Sequence, residues 1–159
     1  MRNHFSWLIL ALFLTFGGCR QDDFDQNLPF VARFEVGAGL GTVLTYNFRM
    51  SDILGTSAEI SRAQVREIRF YAEQGEVDFR YLRQAFVEIT TDTSRLEIGY
   101  STDVQVSNAS NISLFPNEVD IKEQISRPNF NLTARLNFRS PTPQISTIRV
   151  EMLVGVKLK

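Results

Sequence analysis

Over the last residues of the chain, Ile148, Val150, Met152, Val154, Val156 and Leu158 share one parity, while Arg149, Glu151 and Lys157 occupy the other. Successive side chains of a strand point to opposite faces, so this run is predicted to be a long strand with one buried face. The preceding segment repeats the pattern. Phe130, Leu132, Ala134, Leu136 and Phe138 alternate with Asn131, Thr133, Arg135, Asn137 and Arg139. Between the two runs lies Ser140-Pro141-Thr142-Pro143-Gln144, whose prolines cannot continue a ladder. One long C-terminal hairpin is expected. Parity and like-charge avoidance give its register: Phe138 opposite Ile148, Leu136 opposite Val150, Ala134 opposite Met152, Phe130 opposite Val156 and Arg135 opposite Glu151.

The same period recurs upstream. Leu44, Tyr46, Phe48 and Met50 alternate with Val43, Thr45, Asn47 and Arg49, and Phe30 to Val36 is a β-prone run. The turn Gly37-Ala38-Gly39-Leu40-Gly41 between them suggests a second hairpin. Further strands are expected at Val65 to Tyr71, Ala85 to Thr91, Arg95 to Ser101 and Ile112 to Phe115, with another at Glu118 to Ile125. Asp78 to Gln84 reads as a helical turn that packs Phe79 and Leu82 onto the sheet. Seven to eight short strands punctuated by turns predict an all-β fold, an antiparallel β-sandwich over residues 28–159, with an open β-barrel as the alternative.

Absences from the sequence narrow the chemistry. The chain has one histidine, His4, one tryptophan, Trp7, and one cysteine, Cys19. The first two fall in residues 1–18, so a domain beginning after them has no histidine for a nucleophilic triad or a zinc site. Internal disulfides are excluded as well. Lys and Arg number 17 against 18 Asp and Glu, and the basic residues are interspersed with acidic ones, which argues against a nucleic-acid partner.

The N-terminus has the layout of an export signal: Arg2, an apolar stretch from Leu8 to Phe16, then Gly17-Gly18. The apolar run is too short for a membrane-spanning helix. Phe16-Gly17-Gly18-Cys19 resembles a bacterial lipobox, with Phe16 where Leu, Ile or Val is usual. That resemblance implies cleavage after residue 18 and acylation of Cys19, which would tie the protein to the membrane. The following Arg20-Gln21-Asp22-Asp23-Phe24-Asp25 resembles the acidic surface-export signal of Bacteroidota lipoproteins, carried by Gln21, Asp22 and Asp23. Its structural alternative is an acidic tether over residues 19–27. The layout from Glu59 to Lys159 is also similar to small β-sandwich domains of such lipoproteins, which implies a fold and no activity.

Other motifs carry less. A phosphate loop must open a helix, whereas Gly37 to Gly41 precedes a strand. Asn108, Asn111 and Asn131 begin N-glycosylation patterns but read as turn or strand residues. Carboxylate pairs, Asp92 with Glu97 or Asp103 with Asp120, would serve hydrolysis only if the fold brought them together. Asp92 and Asp103 lack the spacing of a calcium loop. Tyr71, Tyr81 and Tyr100 are the residues available as sugar-stacking platforms. The expectation is a non-enzymatic, cofactor-free, lipid-anchored protein at the outer membrane and cell surface, acting as a structural or protein-interaction module on an envelope protein. The alternative is a glycan- or ligand-binding module.

Overall fold

The computed structural model describes residues 24–54, 59–102, 110–142 and 144–159. Among these, eight strands run in the order β1 (Gln26–Val36), β2 (Gly39–Arg49), β3 (Ile60–Gln74), β4 (Leu82–Thr90), β5 (Arg95–Thr102), β6 (Asn111–Pro116), β7 (Asn129–Thr142) and β8 (Ser146–Leu158). Two short helices, α1 (Ser51–Leu54) and α2 (Lys122–Ile125), and a 3-10 turn at Phe79–Tyr81 join them. The fold is all-β, as the alternation requires. β1 starts at Gln26, four residues ahead of the β-prone run expected from Phe30 and two ahead of the expected domain start at Leu28.

The strands form one sheet in the order β1-β8-β3-β6-β5-β4-β7-β2. It is rolled into a nearly closed barrel whose halves, β1-β8-β3-β6 and β5-β4-β7-β2, face each other. First pairs with last, second with seventh, third with sixth and fourth with fifth, all antiparallel. That connectivity is the double Greek key of a jelly roll. Only two residue pairs join the halves at β5–β6. On the opposite side β1 and β2 share no ladder, and the seam is bridged by rings, Phe34 with Tyr46 at 6.2 Å and Phe30 with Phe48 at 5.3 Å.

Neither expected hairpin forms. β7 lies between β2 and β4, and β8 lies between β1 and β3. Arg135 therefore opposes Val43 and Phe86, while Glu151 opposes Val31 and Arg69; the two are not neighbours. The parity of both runs is correct all the same. Phe130, Leu132, Ala134, Leu136 and Phe138 are buried, and so are Ile148, Val150, Met152, Val154 and Val156. The chain between β7 and β8 crosses from one half to the other, so the two apolar rows meet across the core instead of side by side. Pro141 is tolerated inside β7 because the β2 register breaks between Gly41, opposite Asn137, and Gly39, opposite Thr142.

The segment expected as a strand from Glu118 to Ile125 is instead a bridge at Asp120 followed by α2. Asp120 Oδ1 accepts hydrogen bonds from Lys122 N and from Ala63 N, which turns the chain and pins it to β3. The turn expected at Asp78 to Gln84 is present, with Phe79 fully buried and 6.5 Å from the Phe70 ring. The Gly37–Gly41 segment opens β2 and no helix, with Gly39 at φ 140°. Gly39 N donates to Thr142 Oγ1.

Candidate interaction face

The outer face of the β5-β4-β7-β2 half carries an apolar row that crosses its strands and runs on to β6 of the other half. Val43 on β2 opposes Arg135 on β7, which opposes Phe86 on β4, which opposes Tyr100 on β5, which opposes Phe115 on β6. Neighbouring strands are about 4.8 Å apart, so the row spans roughly 19 Å. Val43 and Phe115 are each 62% exposed and Tyr100 is 39% exposed, while Phe86 is half-buried. The Tyr100 and Phe115 rings lie 6.1 Å apart.

Polar rows flank this stripe. On one side run Thr45, Thr133, Glu88 and Glu97, and on the other Gly41, Asn137, Gln84 and Thr102. Thr45 and Thr133 hydroxyls meet at 3.3 Å. Glu88 Oε2 is 2.6 Å from Arg95 Nη2 and 3.5 Å from Arg135 Nε. The hydrogen bonds that Arg95 donates to Glu88 hold the pKa of its guanidinium above the usual value. A depression of about 490 Å3 opens between Val43, Phe86, Glu88, Arg135 and Asn137, beside the side-chain-free Gly41. An apolar centre with a hydrogen-bonding rim is the anatomy of a protein-binding surface.

No protein-family model matches the chain, and no curated protein matches it. Among solved structures, it is similar to a chain from Desmodium yellow mottle tymovirus at 7% identity, with a TM-score of 0.28 over 84% of this chain and 89% of that one.

Of the residues singled out in the sequence, Cys19, Gln21, Asp22 and Asp23 lie outside the described residues, as do Asp103 and Asn108. Asp92 is exposed in the β4–β5 turn. The ladder places Glu97 opposite Glu88, and Glu97 Oε1 accepts from Asn117 Nδ2 at 3.2 Å. Among the described residues no group of three or more His, Cys, Asp or Glu is placed to hold a metal ion. Asn111 sits in β6, and Asn131 accepts a bond from Asn47 in the β2–β7 ladder.

The tyrosines divide by setting. Tyr71 is half-buried beneath the Arg149 guanidinium, 4.7 Å from its ring centre. Tyr100 belongs to the stripe. Tyr81, 49% exposed, borders a cleft of about 380 Å3 with Glu76, Asp78, Phe138, Pro141 and Thr142 at the far end of the barrel. The stripe itself escaped sequence reading because its members come from five strands; the local signals were Val43, Phe86 and Phe115, apolar residues on the outward parity of β2, β4 and β6.

Proposed function

We propose that this protein is a non-enzymatic interaction module, anchored to the outer membrane through acylated Cys19 and carried to the cell surface by Gln21-Asp22-Asp23. The observation that supports it is the outward row of Val43, Phe86, Tyr100 and Phe115, with Arg135 between Val43 and Phe86. Apolar contact gives such a face its affinity, and the arginine and its carboxylate set the orientation of an envelope protein partner. Photo-crosslinking in cells tests this. A benzophenone amino acid at Phe115 should trap a discrete protein, and a probe at Arg33 on the opposite outer face should not. Equal trapping from both positions, or none from Phe115, overturns the reading. The anchor is tested separately: Cys19→Ser should release the protein from the membrane fraction, and retention sinks that assignment.

A glycan-binding reading is favoured by one feature, the exposed Tyr81 ring beside Asp78 and Glu76 in the distal cleft. Tyr81→Ala would then abolish retention on immobilised surface polysaccharide while leaving the crosslink at Phe115 intact.

A further inference from the structure

The outward row from Val43 to Phe115 differs in shape at its two ends. At the β6 end the Tyr100 and Phe115 rings, 6.1 Å apart, form a knob, with Phe115 62% exposed. At the β2 end the surface recedes into the hollow of about 490 Å3 beside Gly41, lined by Val43, Phe86 and Arg135 among others. The Arg135 side chain is 42% exposed there. Phe86 stands midway, two strands from Val43 and two from Phe115.

A row with a knob at one end, a hollow at the other and even strand spacing about its midpoint is complementary to its own reverse. A two-fold axis through Phe86, parallel to the strands, sets Phe115 of each copy over the partner's Val43, at the mouth of the hollow. It sets Tyr100 over the partner's Arg135, where a guanidinium meets a ring face, and brings the two Phe86 side chains together. Glu88, the charge nearest the axis, brings its own counter-charges: it lies 2.6 Å from Arg95 and 3.5 Å from Arg135, and its side chain is only 13% exposed. An axis along the row would instead set each residue against its own copy and leave the knob without a hollow. It would also send the two chain starts, each held at one end of the barrel by Asp25 N on Val156 O at 2.9 Å, in opposite directions. The axis parallel to the strands sends both the same way, as two chains tethered to one membrane require.

We propose that the partner of this face is a second copy of the chain, in a two-fold dimer where Phe115 of each copy enters the hollow beside the partner's Val43 and the partner's Arg135. This rests on the reading of the stripe as an interaction face and names what that face takes. Burial of Val43, Phe86 and Phe115 holds the copies together, and the contact of Arg135 with the partner's Tyr100 fixes which way round they meet. Because each copy uses the same surface, the contact closes on itself and gives a dimer instead of a filament.

The test uses the full chain in the cells that make it. A benzophenone amino acid at Phe115 should trap a species of twice the monomer mass, and mass spectrometry of its digest should join the probe to a β2 peptide containing Val43. With the probe moved to Tyr100, Val43→Lys alone or Phe115→Glu alone should cut the trapped dimer several-fold. The two substitutions together should restore it, because each lysine then faces a glutamate across the axis; both positions are 62% exposed, so neither change disturbs the core. A different protein trapped from Phe115 overturns this proposal and leaves the interaction reading standing. A dimer joined through β6 of both copies, or a double variant no better than the singles, also overturns the proposal alone. No trapped species at all overturns it together with the interaction reading.

Discussion

Arg33 and Arg149 stand directly opposite each other in the β1–β8 ladder, and both reach the same carboxylate, Glu73. Arg33 Nε donates to Glu73 Oε2 at 2.9 Å, and Arg149 Nε lies 3.2 Å from Glu73 Oε1. Arg149 also contacts Glu151 at 3.2 Å. A like-charge pair across a ladder is tolerated once a third strand supplies the counter-charge, here from the end of β3. Avoidance of facing arginines is therefore a weak guide to register.

Glu73→Gln should leave that arginine pair uncompensated. Because the groups are partly solvated, the expected loss is about 1 kcal/mol in urea unfolding at low ionic strength, shrinking in high salt. A loss independent of salt would mean that packing, and not charge, is what Glu73 contributes.

The strand order makes a second prediction. A double-mutant cycle between Arg135 and Glu88 should show coupling of about 0.5 kcal/mol, whereas one between Arg135 and Glu151 should stay within about 0.3 kcal/mol of zero. Measurable coupling in the second cycle would restore the hairpin that the observed topology excludes.

Gly75 follows β3 with φ 88°, and an added Cβ would lie 2.7 Å from Ser146 Cα. Ser146 Oγ accepts from Glu76 N at 3.0 Å, so displacing it also breaks that bond. Gly75→Ala should destabilise the protein by about 2 kcal/mol or more, seen as a lower midpoint with an unchanged denaturant slope. A variant of unaltered midpoint would show that the turn can relax.

Asp78 caps the 3-10 turn by accepting from Arg80 N at 2.9 Å, and the Arg80 side chain bonds the same carboxylate. That side-chain bond holds the Asp78 carboxyl below its ordinary value of 3.8. A depressed acid pKa gives stability that is complete above 3.8 and lost as pH falls through the lower folded value. Asp78→Asn keeps a capping oxygen but removes the charge. It should cost under about 1 kcal/mol near neutrality, the pair being screened, and nothing once the parent carboxylate is protonated. Parent and variant stability curves that remain parallel into acid would refute the assignment.

Side-chain parity is local, and for that reason the alternation alone told which residues of β7 and β8 enter the core, Phe130 to Phe138 and Ile148 to Val156. The buried Phe79 turn was legible for a related reason, since Asp78 caps its own neighbours. Glu118 to Ile125 was misread because its apolar residues fit a strand, while the Asp120 bonds that turn the chain depend on Ala63, far away in sequence. Pairing was not legible at all. A strand with one apolar face is satisfied by any neighbour that keeps the parity, and the added entropy of closing a long loop grows only logarithmically. Burial of two apolar faces against each other therefore decided between the local hairpin and the pairing of first strand with last. The same rolling of the sheet brought Val43, Phe86, Tyr100, Phe115 and Arg135 into one row, an arrangement that exists only once five strands have taken their places.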